Sequence, residues 1–375
     1  MIKRILEKTL QEKLFKSKAI IISGPRQVGK TTLVKSLVNS TGLPYLWFNG
    51  DEPSVPTIFQ NISSNELQQL FGKNRIVVID EAQKISNIGT TIKLVVDLLP
   101  DIQIIATGSS SFELANKINE PLTGRKFEYF LYPISYNELV NEHGKLKENQ
   151  LLSQRLIFGS YPEIINDPDN AKENLNWLSD SYLYKDLLAL DTIKKSSILI
   201  KLLQALSWQT GNEVSYNELS QTIGSNPKTI EKYIDLLEKA YVVFRLRPLS
   251  RNLRNELKKT RKIYFYDNGI RNAIIGNFNR PEIRDDIGAL WENYLISERM
   301  KLIEYNRIFG NQFFWRTAQK QEIDYIEEHN GMFNAYEFKY NPNKKGKLSK
   351  TFSNAYTPNN FSVINNQNYD RFLQE

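Results

Sequence analysis

The chain has no cysteine and only 2 histidines in 375 residues. Without thiols it can build neither a disulfide framework nor a thiolate metal site. His143 and His329 stand far apart and show no metal-ligand spacing. No run approaches the ~20 apolar residues that a membrane-spanning helix needs. The opening MIKRILEKTLQEKLF is charged throughout and reads as an amphipathic helix, not a signal peptide. These absences lead us to expect a cytoplasmic protein without a membrane partner. What is present is ordinary for a globular chain: 41% hydrophobic and 24% charged residues, with length enough for about two or three domains. The net charge of +7 is compatible with a nucleic-acid partner and equally with scattered, solvated lysines.

Residues 19–23, AIIIS, form a short apolar, β-branched run that suits a buried parallel strand. Gly24-Pro25-Arg26-Gln27-Val28-Gly29-Lys30-Thr31 follows at once and fits G-x-x-x-x-G-K-[ST]. From Thr32 the segment TLVKSLVN continues with helical periodicity. Strand, glycine loop and helix together are the context in which such a loop holds nucleotide phosphates. Backbone N–H groups of residues 24–32 would surround the phosphate oxygens. Lys30 would reach the β- and γ-phosphates, and the Thr31 hydroxyl would ligate Mg²⁺. ATP with Mg²⁺ is the expected ligand.

A second apolar run, Ile76-Val77-Val78-Ile79, ends in Asp80-Glu81, at the strand end where ligands bind in open α/β sheets. Asp80 is the expected partner of Mg²⁺, and Glu81 is placed to polarise the attacking water. Two acids after a strand also suit a helix N-terminus. A third strand, 102–106, runs into Thr107-Gly108-Ser109-Ser110-Ser111. Ser109 is the candidate sensor of the γ-phosphate, while Ser110 or Ser111 would cap the helix FELANKI. YLWFN (45–49) and KFEYFLYP (126–133) read as further strands, with Arg125 just before the latter. Such an arginine is a surface ion-pair partner or, set on a neighbouring subunit's γ-phosphate, a contributor of several orders of magnitude in rate.

GPRQVGKTTL, VVIDEAQ, ATGSSS and LTGRKFEYFLYPISYNEL resemble the AAA-type domain of a large family of bacterial and archaeal ATP-binding proteins. The resemblance implies an ATPase followed by a helical region and a C-terminal domain of restriction-endonuclease-like fold. It also implies that Arg125 acts across a subunit interface, in a homo-oligomer. The family carries a segment like Gly159-Ser160-Tyr161-Pro162-Glu163, for which packing around a proline turn is the default reading.

Residues 136–200 lack strand-like alternation and read as helices packing on the ATPase as a lid. A helix-turn-helix pattern follows. Ser215 and Glu218 make a capping box, Gly224 ends the first helix, and Asn226-Pro227 opens the second. YVVFRLRPL and KIYFYD would be the two wings of a winged helix. Lys228, Thr229 and Lys232, with Arg245, Arg247, Arg251 and Arg254, form a candidate phosphate-contacting set. Glu231, Asp235 and Glu238 on the same helix fit a protein-contact module instead.

In QEIDYIEEHNGMFNAYEFKY (321–340), Asn330-Gly331 signals a two-residue hairpin turn. His329 then faces Met332, Asp324 faces Glu337, and Glu322 faces Lys339, while Ile323, Tyr325, Tyr336 and Phe338 share the other face. Opposed carboxylates call for an offsetting cation, which a divalent metal would supply. The spacing D-x₁₂-E-x-K of Asp324, Glu337 and Lys339 resembles the core of the PD-(D/E)XK nuclease superfamily. Glu292 in GALWENYLISERM resembles the helical glutamate of that site. The resemblance implies that Glu292, Asp324 and Glu337 hold Mg²⁺ and that Lys339 serves the attacking water or scissile phosphate. Against it, Ile323 precedes Asp324 where the superfamily often has proline, and Glu337 with Lys339 also suits a surface ion pair.

The expected fold is α/β: a P-loop AAA-type ATPase at 1–135, a helical lid at 136–200, a winged helix at 201–272 and a restriction-endonuclease-like domain at 273–375. Two functions fit. One is an ATPase coupled to a DNA- or RNA-binding, metal-dependent nuclease-like module. The other is an ATP-dependent protein-interaction switch whose nuclease-like domain is idle.

Overall fold

The computed structural model describes residues 2–109, 118, 121–180, 196–250 and 261–375. Ser110, Ser111, most of the FELANKI helix, Arg251, Arg254 and part of the expected lid lie outside the described residues. The chain divides into two compact units, residues 1–133 with 239–241 and residues 134–238 with 242–375.

The first unit is built on a parallel sheet of β1 (Ala19–Ser23), β2 (Tyr45–Asn49), β3 (Ile76–Asp80), β4 (Gln103–Gly108) and β5 (Lys126–Phe130), in the order β2-β3-β4-β1-β5. The central strands are apolar along their length because both faces are covered: every residue of β1, β3 and β4 is buried. One face carries Ile21, Val77, Ile79, Ile104 and Ala106 against Val55, Phe59, Leu67, Phe71, Ile92 and Val95 from the flanking helices. Each of the Val, Ile, Leu and Phe side chains among them contributes about 1.5–3 kcal/mol by leaving water.

The second unit holds a sheet of seven strands: β6 (Glu213–Val214), β7 (Val243–Pro248), β8 (Arg261–Phe265), β9 (Asn311–Arg316), β10 (Glu322–His329), β11 (Met332–Phe338) and β12 (Asn360–Ile364), ordered β12-β11-β10-β9-β7-β8-β6. Trp291, Tyr294 and Leu295 of the helix Ile287–Tyr305 pack on one face with Tyr325, Phe338 and Phe372. Ile323, Ile326, Trp315 and Ala335 pack with Phe352 on the other. The helices between residues 136 and 178 belong to this second unit.

Two differences from the sequence reading bear on function. β7 pairs with β8 as two wing strands would, but its other edge is taken by β9, in parallel register at Arg247↔Phe313. The β7–β8 pair is thus continuous with the C-terminal sheet. In the Asn330-Gly331 hairpin the expected register holds from His329↔Met332 to Tyr325↔Tyr336 and then stops. A bulge against β9 lies between Ile323 and Ile326. The extra residue turns Ile323 to the face opposite Tyr325 and Phe338, so the expected common face does not form.

Candidate functional site

β1, β4 and β3 are neighbours, and their carboxyl ends bring the glycine loop 24–29, Thr107–Ser109 and Asp80-Glu81 together. The loop's start is fixed by close approach: a Cβ on Gly24 would lie 2.2 Å from the Leu131 carbonyl oxygen. Its end is Gly29, which gives the helix Lys30–Thr41 no side-chain cap, and no acidic residue stands in the first turn. The helix's first N–H groups therefore remain donors suited to an anion. Buried Arg4 donates to the Val28 and Tyr132 carbonyls at 2.7 and 2.6 Å, tying the loop to the segment after β5.

Lys30 is buried, and its ammonium donates to the Gly24 and Pro25 carbonyls at 2.9 and 2.7 Å. Burial pulls its pKa down to about 8, against the opposing pull of Glu81 and Asp80. Thr31 Oγ1 donates to Asp80 Oδ2 at 2.8 Å, and the Thr107 hydroxyl donates to Asp80 Oδ1. Thr107 Oγ1 also accepts the Glu81 N–H at 3.2 Å. Glu81 has a left-handed backbone, φ 50°, a conformation that costs energy outside glycine and gathers at functional turns. Its carboxylate accepts from Ser109 Oγ at 3.0 Å and from Gln83 Nε2. Residues 24–32, Asp80, Glu81 and Ser109 thus converge, and the donor set suits a nucleotide phosphate beside a magnesium ion.

Residues 16–140 match the family described as AAA domain. Residues 149–281 and 287–375 match two domains of unknown function, DUF8612 and DUF4143. Uncharacterized proteins of Mycobacterium bovis and Mycobacterium tuberculosis are each 25% identical over 334 residues, covering 88% of this chain and 72% of theirs. One from Haemophilus influenzae is 26% identical over 284 residues, covering 68% and 69%. Among solved structures, a Signal Transduction ATPase with Numerous Domains from Pyrococcus horikoshii is 12% identical, with a TM-score of 0.30, covering 82% of this chain and 48% of that one. A likeness that slight carries no argument. No helix among the described residues is long and apolar enough to cross a membrane.

Two residues of this site, Arg4 and Gln83, escaped the sequence reading, as did the orienting role of the Thr107 hydroxyl and the close backbone packing of Gly24. Thr107 could have been found, because it is a polar residue ending a buried strand beside the acids. Arg125 does not join this site within the chain. It precedes β5, whose register with β1 runs Ala19↔Lys126 to Ser23↔Phe130. The glycine loop is therefore at the opposite end of the sheet, about 20 Å away at ~3.3 Å per residue. Arg125 pairs instead with Asp97 at 2.6 Å.

In the second unit, Glu292, Asp324, Glu337 and Lys339 do come near one another, but not as opposed strand pairs. At the bulge, Asp324 Oδ2 accepts the Phe338 N–H at 2.7 Å in place of facing Glu337. Glu337 pairs with Lys339 at 2.7 Å. Glu322 does not face Lys339. It bonds Lys262 Nζ at 2.6 Å, and the same ammonium reaches Glu292 Oε1 at 3.0 Å. The Tyr264 hydroxyl donates to Glu292 Oε1 at 2.6 Å. Burial and the Glu292 charge push Asp324 up to about 7, against Lys262, the Phe338 N–H and Lys339. Lys262 went unnoticed in the sequence because it stands on β8, remote in sequence from the acids it meets.

The Gly159–Glu163 segment has a packing role. Gly159, at φ 69°, lies where a Cβ would meet Asp267 Oδ1 at 2.0 Å. Asp267 accepts N–H groups from Ser160, Gly269 and Ile270 at 2.7, 2.8 and 3.2 Å, joining the segment to the start of the helix Asn268–Ile274. Lys301 bonds Ser160 Oγ at 3.3 Å and Glu298 Oε1 at 2.6 Å within the same buried network.

Proposed function

We propose that the N-terminal unit binds ATP with Mg²⁺ and hydrolyses it. The observation that carries this reading is the meeting of the glycine loop, Asp80-Glu81 and Thr107–Ser109 at three neighbouring strand ends. Backbone N–H groups of residues 24–32 would hold the phosphates, and Lys30 would exchange its two loop carbonyls for phosphate oxygens. Thr31 and Asp80 would hold Mg²⁺, which when bound neutralises phosphate charge. Thr107 fixes the Asp80 carboxylate in orientation. Glu81 would orient the attacking water and take its proton, its carboxylate aimed by Ser109 and Gln83. ATP hydrolysis by the full chain, compared with Lys30→Ala, tests the assignment: turnover unchanged in the variant would end it. Arg125 enters this reading only across a subunit interface, so a homo-oligomer belongs to it, as does a cytoplasmic location.

For the second unit we read a winged helix and a restriction-endonuclease-like domain. Supporting the first is the succession helix Ser196–Trp208, β6, helices Tyr216–Ile223 and Pro227–Lys239, β7 and β8. Supporting the second is the succession helix Ile287–Tyr305, β9-β10-β11 as an antiparallel meander, helix Lys350–Tyr356, and β12 parallel to β11. Exposed Lys228 and Lys232 suit a nucleic-acid backbone. Arg245 is withdrawn from that set by ion pairs with Asp235 and with Glu238, the latter at 2.8 Å.

The acid set does not fit a divalent metal. Lys262 already sits on Glu292 and Glu322, and among the described residues no group of three or more acids or histidines is arranged to hold one. This favours the second function, an ATP-dependent switch whose nuclease-like domain binds a partner without cutting. Incubation of single- and double-stranded DNA and RNA with the full chain, Mg²⁺ or Mn²⁺, and ATP should give no cleavage. Cleavage lost in Glu337→Ala would reverse the choice.

A further inference from the structure

We propose that Lys262 is the resident cation of the C-terminal acid set, standing where a divalent metal would have to bind, and that its removal opens a metal site. The inference rests on the reading of this unit as one that does not cut. It adds the reason and a way to invert it.

Lys262 is 1% exposed. An ammonium that far from water is stable only when paired. Its partners come from two other elements: Glu292 from the helix Ile287–Tyr305 and Glu322 from β10, at 3.0 and 2.6 Å. Asp324 adds a third carboxylate to the surrounding field, and together the acids outweigh the cost of burial and raise the Lys262 pKa. Lys262 and Tyr264 alternate onto the same side of β8, and both bond the same Glu292 oxygen. Below the ammonium the Phe314 ring lies 5.5 Å from it. The pocket is therefore built around a protein cation held on three elements, and not around a vacant carboxylate pair.

A metal entering this protein would have to displace that ammonium and leave it buried without a partner, which is a large penalty. Exchanging the lysine for a residue of like shape and no charge inverts the balance. Glu292, Glu322 and Asp324 would then lose the cation they surround, with Arg316 at 3.8 Å from Glu322 and Lys339 beside Asp324 as the remaining positive charges, and would offer oxygen donors of the kind Mn²⁺ or Mg²⁺ takes.

The test counts bound Mn²⁺ by electron paramagnetic resonance, without nucleotide, in the full chain. All proteins carry Asp80→Asn, so that the carboxylate expected to serve a metal at the glycine loop is absent. The expected result is no tightly held Mn²⁺ in that background, one per chain once Lys262→Met is added, and none again on adding Asp324→Asn. Thermal unfolding of the Lys262→Met protein should shift upward with Mn²⁺, whereas the background should not. A Mn²⁺ ion held by the background and lost with Glu292→Gln or Asp324→Asn would overturn the proposal. So would a folded Lys262→Met protein that takes up none. If that variant does not fold, the count in the background decides alone. Nucleic-acid cleavage without a bound metal in the apo-protein would sink the non-cutting reading and leave the resident lysine standing.

Discussion

Thr31 Oγ1 lies 2.8 Å from Asp80 Oδ2, joining the helix after the glycine loop to the end of β3. The Thr107 hydroxyl, from the strand between them, bonds the other oxygen of the same carboxylate. Asp80 is thus held from both sides before any ligand arrives.

Thr107 touches neither phosphate nor metal in this account, and acts by orienting Asp80 and the Glu81 N–H. Thr107→Val, which keeps the shape and removes the hydroxyl, should lower ATP turnover roughly 10–100-fold. ATP affinity should change little. Steady-state kinetics beside equilibrium nucleotide binding separate the two, and a loss confined to binding would assign Thr107 elsewhere.

On the proposed reading, Lys30 would make nucleotide binding pH-dependent. Burial lowers its pKa to about 8 in the nucleotide-free protein, and the phosphates require its charged form. ATP affinity should therefore weaken as pH rises through about 8, and Lys30→Ala should lose that dependence together with most of the binding. Isothermal titration across pH 7 to 9 (about one pH unit either side of that value) reads both.

Gly159→Ala should destabilise the second unit by at least about 2 kcal/mol, because it adds left-handed strain and pushes Asp267 off the helix start it caps. Glu163, in the same segment but exposed, is the control. Glu163→Ala should stay within about 0.5 kcal/mol of the parent. Urea denaturation of the two variants checks the pair.

Asp324 sets a pH trend in stability. Burial raises its folded pKa from the ordinary carboxylate range to about 7, so the folded protein binds its proton more tightly than the unfolded chain does. This contribution is fully present below pH ~4 and is lost as pH rises toward ~7. Asp324→Asn should flatten that part of the stability curve, and an unchanged slope would remove Asp324 as its source.

The meeting of the glycine loop, Asp80-Glu81 and Ser109 was legible because each of these motifs is contiguous in sequence. A loop fitted to phosphate is contiguous, and β1, β3 and β4 are short apolar runs that end in polar residues. The hairpin register was legible for the same reason, since Asn330-Gly331 dictates pairing on either side. It failed at Asp324, where the strand bulges against β9, a partner that the turn does not encode. Lys262, Arg4 and the β7–β9 pairing lay out of reach likewise. Each depends on segments brought together only by folding, and a lone basic residue or strand edge carries no local mark of its distant partner.

The central claim is that Glu81, aimed by Ser109 and Gln83, serves the water that attacks ATP. The measurement is ATP hydrolysis by the wild type and Glu81→Gln, with ATP binding followed in parallel. The account expects Glu81→Gln to bind ATP as the wild type does and to hydrolyse it about 10²–10⁴-fold more slowly. Wild-type turnover in that variant would contradict it.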